Sequence, residues 1–237
     1  MSGTEDWRSY WEALGSEQQV FAVEGTEYVR RIAPLLLVRR PQRVLDFGCG
    51  FGHAAAKLAP LVGEIWAWDA AANMRNHASR RLAGIANARM VEPAELERRT
   101  LPPFDLILVH SVIQYLSPDE LAACQLLWAR LLAPQGHALL SDIPVPGRPA
   151  WPEFLELLLF AKRHGFLRNA IAGGLKEIGR YSRMRKTRPL HQHDEATIER
   201  GARAAGLALR ILPVNLTHRS GRRLALLWRH GDHGASA

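Results

Sequence analysis

The sequence predicts an α/β protein: a doubly wound, mostly parallel seven-stranded sheet with a C-terminal antiparallel hairpin and a helical cap inserted after strand five. Three observations predict it. Short apolar runs of strand length alternate with segments of helix length between residues 41 and 143. The first of these runs ends directly in glycines. Four prolines, Pro144, Pro146, Pro149 and Pro152, then break the alternation before a helical stretch and two last strands. Strands separated by helices call for right-handed crossovers, which cover a parallel sheet on both faces.

The elements follow in order. Trp7, Tyr10, Trp11 and Leu14 recur at helical spacing, and a second apolar series runs from Val20 through Val29, Ile32 and Leu36. Residues 5 to 40 are therefore expected to be helical, with Pro41 as the break. Strands are expected at Val44–Phe47, Glu64–Trp68, Ala88–Val91, Phe104–Val109 and His137–Ser141. Helices between them span His53–Leu61, Ala70–Ala83 and Asp119–Leu132, the last started by Ser117-Pro118. Residues 153–188 give two basic helical stretches, and residues 194–205 a helix with Asp194 as N-cap. Ala208–Leu212 and Arg223–Arg229 close the chain as a hairpin, and Gly231–Ala237 is expected to fray. The division expected is one domain, 1–237. It has an N-terminal lid (1–40), a ligand-binding core (41–143), a helical cap (144–193) and a closing helix and hairpin (194–230).

Composition narrows the setting. Two cysteines, Cys49 and Cys124, make no disulfide framework and match no zinc spacing, so no metal is expected. With a polar, acidic start and no apolar run long enough to span a bilayer, this points to the cytoplasm. The net charge of +8 sits mostly in residues 153–188, which hold nine Lys and Arg against three Glu. That balance suits an anionic or lipid-linked small-molecule substrate, or peripheral contact of residues 153–188 with an anionic membrane. A solvated basic face gives the same composition. No nucleic-acid reader motif accompanies the charge, so nucleic acid is not expected.

The chemistry points to Asp46-Phe47-Gly48-Cys49-Gly50-Phe51-Gly52. A strand running into glycines and then a helix lets a ligand lie against bare backbone at the carboxyl end of the sheet. Gly50-x-Gly52-x-x-Ala55 also passes as a dinucleotide turn, with Asp69 about twenty residues on, which keeps a nicotinamide-dependent oxidoreductase as the alternative. Against it, Asp46 would face a pyrophosphate badly and suits a cation. Cys49 reads as packing rather than as a thiolate.

Val44 to Gly52 resembles the first motif of the class I, Rossmann-like S-adenosylmethionine-dependent methyltransferases. Trp68-Asp69-Ala70 resembles the second, Phe104 to Leu116 the fourth-strand segment, and Leu131 to His137 the turn before strand five. Each motif is weak alone; four in family order are specific, and the resemblance covers residues 41–143. It implies S-adenosyl-L-methionine as cofactor. Asp46, Phe47, Gly48, Cys49 and Gly50 would hold the methionine part, with the His110 carbonyl near its amino group. Asp69 and Ala70 would hold the ribose, and Met74 would cover the adenine. The family's polar residue after strand three is replaced by Glu92-Pro93-Ala94-Glu95, so the Ala94 amide, Glu95 or Glu92 is expected at the adenine edge.

Methyl transfer from a sulfonium is an in-line displacement that mainly requires positioning. A base, needed only for a weakly acidic acceptor, would come from His110, Tyr115, His191 or His193. The Asn/Asp-Pro-Pro-Tyr/Phe signature of amino methylation is absent after strand four, where His110-Ser111-Val112-Ile113 stands. Small-molecule, lipid-linked or sugar acceptors remain, methylated at oxygen, carbon or nitrogen. A non-catalytic S-adenosylmethionine-binding protein is the other alternative, since a fold does not fix an activity.

Overall fold

The computed structural model describes residues 3–12, 14, 19–97, 101–147, 151–167, 190–212 and 214–231. Two helices, α1 (Gly3–Glu12) and α2 (Gln19–Arg39), precede the sheet. Then come β1 (Arg43–Phe47), α3 (His53–Leu58) with a 3-10 turn at Ala59–Leu61, β2 (Glu64–Trp68), α4 (Ala72–Leu82), β3 (Ala88–Met90), α5 (Pro93–Glu97) and β4 (Phe104–His110). After a 3-10 turn at Ile113–Tyr115 follow α6 (Pro118–Leu131), β5 (Leu132–Pro144), α7 (Trp151–Arg163), α8 (Glu195–Ala204), β6 (Leu207–Leu212) and β7 (Arg222–Arg229).

The seven strands form one sheet in the order β3-β2-β1-β4-β5-β7-β6. The first five are parallel, and β7 pairs antiparallel with both β5 and β6. Order reverses between β1 and β4, so a crevice opens at their carboxyl ends, where ligands bind in such sheets. The period of two assigns the faces. Val44, Ile65, Leu106, Leu108 and Leu139 pack under Tyr28, Ile32 and Leu36 of α2 and Leu58 of α3. Leu45, Phe47, Ile107, Val109 and Leu140 pack on the other face with Trp128 of α6 and Ile198 of α8. Burial on both faces explains why these strands read as continuous apolar runs.

Local signals set the helix ends. Ser117 and Glu120 form a capping box on α6, with Pro118 at its first position. Asp194 caps α8 by accepting from the Thr197 amide at 2.7 Å. Three expectations needed adjustment. α5 went unread because five residues carry no periodicity. The helix after β1 tightens into its 3-10 turn one residue before Pro60. β5 begins five residues early because it pairs with β4 across a register shift between Phe104 and Leu106. Of the two basic stretches, the first is α7. The residues from Arg168 to Arg188, and the end of the chain after Gly231, lie outside the described residues. No described helix is long and apolar enough to cross a membrane.

Candidate active site

The crevice is walled by the loop after β1. Gly48, Gly50 and Gly52 all have positive φ. At Gly48 a side chain is excluded twice: φ is +83°, and a Cβ would stand 2.3 Å from Val112 Cγ2. At Gly50, φ +53°, a Cβ would meet nothing within 4 Å, so the backbone borders open space. The Gly48 and Cys49 amides both donate to the Trp68 carbonyl, at 2.7 and 3.0 Å, which ties the loop to the end of β2. Burial raises the Cys49 thiol well above its usual range, so it is a packing residue there.

Asp46 lies beneath the loop, 3% exposed. Its Oδ2 has no hydrogen-bond partner. Burial, with the nearby Asp69 charge, pushes its carboxyl up to about 7. A buried carboxylate without a partner is costly unless a cation or donor joins it.

Asp69, just after β2, accepts from the Gly50 amide at 2.8 Å through Oδ2 and from the Ala71 amide at 2.9 Å through Oδ1. Burial raises its carboxyl, while these amides and Arg75 pull it down. A carboxylate has about four acceptor sites, so two remain for a diol. Asp69 does not serve as the N-cap of α4. Ala71 holds that position, and Glu12 of α1 accepts from the Ala72 and Asn73 amides at 2.6 and 3.0 Å. Glu12 gave no signal in the sequence, because it acts across 60 residues.

Met74 is buried with Leu14, Phe51 and Ala71, against Trp11 and Phe21. Ala70 is exposed beside it. The aromatic side chains of α1 reach the far wall, where the Tyr115 ring lies 4.8 Å from Trp7 and 5.9 Å from Trp11. The expected adenine edge is split. Glu95 gives its carboxylate to Arg89 at 2.7 Å and to the Glu92 amide at 2.9 Å, and the Arg89 bond holds it below the usual range. Its carboxylate is thereby engaged within this segment.

A second group of polar side chains lies at the ends of β4 and β5. His110 bonds Ser141 Oγ through Nδ1 at 2.8 Å and stacks on Tyr28 at 3.9 Å. Burial lowers it to about 4. A ring that gives up its proton so readily is a weak base, and its bonds fit a positioning role. His193 is committed as well, its Nε2 lying 3.0 Å from both the Ile113 and Leu116 carbonyls. His191 sits beside that turn, its amide bonded to the Gln114 carbonyl at 2.9 Å and its ring 5.9 Å from His193.

Sequence reasoning missed the polar cluster beyond His110. Ser111 and Asp142, at the ends of adjacent strands, have φ of +57° and +63°. Such strain in non-glycine residues gathers at functional sites. Ser111 Oγ donates to Asp142 Oδ2 at 2.7 Å. Arg219 bridges Asp142 at 3.5 Å and Glu24 of α2 at 2.7 Å. Burial works against the Asp142 charge, yet Arg219 and Arg222 outweigh it and hold the carboxyl low. Glu24 moves the other way, raised by burial. No group of side chains suited to a metal occurs among the described residues.

A family model described as a methyltransferase domain matches residues 44–136. A protein-L-isoaspartate O-methyltransferase of Chromohalobacter salexigens is 34% identical over 97 residues, 40% of this chain and 42% of that protein. The chain thus spans less than half of that curated relative. The structure of magnesium protoporphyrin IX methyltransferase from Synechocystis PCC 6803 with bound SAH aligns with TM-score 0.62 at 18% identity, over 96% of this chain and 100% of that one. DesVI of Streptomyces venezuelae aligns with TM-score 0.56 at 16% identity, over 97% and 99%. At such identities the likeness is one of fold. The sheet order and the matched core agree: residues 44–136 match the methyltransferase-domain model, and the chain has the class I, Rossmann-like fold.

Proposed function

We propose that the chain transfers a methyl group from S-adenosyl-L-methionine to a small-molecule acceptor placed at the ends of β4 and β5. The observation that carries this is Asp46, a buried carboxylate whose Oδ2 lacks a partner. It fits a cationic ligand lying over the open backbone at Gly50. Asp46 would orient the amino group of the methionine part, with the Gly48–Gly50 backbone beside it. Asp69 would take the ribose hydroxyls on its remaining acceptor sites. Met74 would wall the adenine, and the Ala94 amide would meet its edge. When bound, the cofactor supplies an activated methyl on a sulfonium. The chain's own part is to align the acceptor behind it and exclude water.

The low proton affinity of His110 bears on the acceptor. It favours one that arrives ionised, or that loses its proton readily, over an alcohol that needs a strong base. Tyr115 and His191 would line the acceptor side and remain the candidates for a base where the acceptor needs one. The unpaired Cys49 and Cys124 suit a cytoplasmic setting. The N-terminal segment 1–40 is proposed as the lid and residues 144–193 as the cap that selects the acceptor. The basic balance of residues 153–188 favours an anionic or lipid-linked acceptor.

The first half of the loop favours this reading over the dinucleotide alternative. A pyrophosphate needs free loop amides. Here the Gly48 and Cys49 amides are bonded to Trp68 and the Gly50 amide to Asp69, with the Asp46 carboxylate beneath. Calorimetry with S-adenosylmethionine and its demethylated product tests the cofactor reading, and saturable NADH binding instead would overturn it. Cell extract incubated with methyl-labelled donor tests turnover. Cofactor binding with no labelled product in any fraction would leave the non-catalytic reading.

A further inference from the structure

α7 turns one side into the protein and the other to solvent. Phe160 and Ala161 are buried with Phe166, against Val20 and Val23 of α2. Opposite them Trp151, Leu155 and Leu159 are 69%, 49% and 58% exposed. Their four-residue spacing sets them in one line along the helix. Lys162 and Arg163, three and four residues after Leu159, continue that line and are also exposed. The two acidic residues of α7 are drawn off this face. Glu153 pairs with Arg222 at 2.9 Å, and Glu156 accepts from the Ser220 amide at 3.0 Å and from its hydroxyl. The outer face is left with large apolar side chains and positive charge.

We infer that this face of α7 is a peripheral contact for an anionic lipid surface. Leu155 and Leu159 enter the acyl boundary, and Trp151 sits at headgroup level, where an amphipathic ring is favoured. Lys162 and Arg163 meet the headgroup phosphates. The chain that follows has the same sign: from Arg168 to Arg188 the sequence holds seven Lys and Arg against Glu177 alone. That charge complements anionic headgroups and opposes a second copy, which would bring like charges together. α7 is also linked to the strand ends. Glu153 holds Arg222, Arg222 pairs with Asp142 at 3.4 Å, and Asp142 receives Ser111. A lipid-borne acceptor would therefore reach the ends of β4 and β5 from the membrane side. That delivery rests on the proposed methyl transfer; the lipid contact does not.

Sedimentation of the full chain with vesicles tests the inference. The chain is expected to pellet with equal parts phosphatidylcholine and phosphatidylglycerol, and not with phosphatidylcholine alone. Raising salt from about 0.1 M to about 1 M should release most of it, because the screening length falls about threefold. Leu155→Gln with Leu159→Gln should keep the circular dichroism spectrum and lower vesicle affinity about tenfold or more. Lys162→Glu with Arg163→Glu should do the same. Absence from the anionic pellet, or equal pelleting of both variants, overturns the inference. So does a dimer on gel filtration that the leucine variant dissolves, which would assign the face to a second copy. Cofactor affinity is measured alongside by calorimetry. Its absence would count against the methyl-transfer reading and leave the lipid result standing.

Discussion

Asp46 and Asp69 are both buried carboxylates, but their surroundings set them to different tasks. Asp69 is satisfied by two amides, whereas Asp46 keeps a bare oxygen. The Asp46 carboxyl is raised to about 7, so its ionised form costs stability. The cost is absent below its unfolded value near 3.8, grows as pH rises and is complete above about 7. Asp46→Asn should therefore raise the melting temperature at pH 8, by a free energy on the order of a few kcal/mol, while weakening S-adenosylmethionine binding. For the same reason, wild-type affinity should fall as pH drops below about 7; a flat calorimetric profile from pH 6 to about 8 would remove Asp46 from the site. Asp69→Ala deletes the carboxylate proposed to take two ribose hydroxyls and should weaken binding by about a hundredfold, at roughly 1.5 kcal/mol per charged hydrogen bond. Both aspartates were legible in the sequence because each abuts a local signal, the glycine turn or the end of a strand. The pairing of Glu95 with Arg89 was not legible there, because Arg89 lies on β3 and the contact forms only when β3 and α5 are in place.

Among the elements, α1 depends most on contacts beyond itself. Ten residues are too few for a stable isolated helix. It is held by Trp7 and Tyr10 in the aromatic cluster and by Glu12 on the first amides of α4. Burial works against the Glu12 charge, but the Asn73 and Ala72 amides lower its carboxyl overall. A depressed carboxyl stabilises above its unfolded value of 4.5, and that stability is lost as pH falls through the folded value. Glu12→Gln should loosen α1 by about 0.5–2 kcal/mol, the range of an N-cap loss. Hydrogen exchange should show faster exchange confined to α1 and the start of α4, and unchanged protection there would refute the latch. The helical spacing of Trp7, Tyr10 and Trp11 announced the helix. Nothing local announced that its last residue would cap another.

Across the whole molecule, the charges at the ends of β4 and β5, with Asp142 and Arg222 buried, join four elements. Glu24 comes from α2, Asp142 from β5, Arg222 from β7 and Glu153 from α7, with Arg219 between β6 and β7. Asp142→Ala would leave Arg222, itself buried, without its central partner. Breaking such a pair from one side costs about 3–5 kcal/mol, which urea unfolding should register. A loss near zero would mean that water already screens the cluster. The sequence by itself determined the alternation of strands and helices, their caps, and the loop with its two aspartates, because periodicity, glycine and capping act within a few residues. The tertiary structure decided what stands opposite that loop. Ser111 meets Asp142 across 31 residues, and Arg219 meets Glu24 across 195. A salt bridge leaves no trace in the spacing of its partners, so only the closing of β7 against β5 could place those charges beside the crevice.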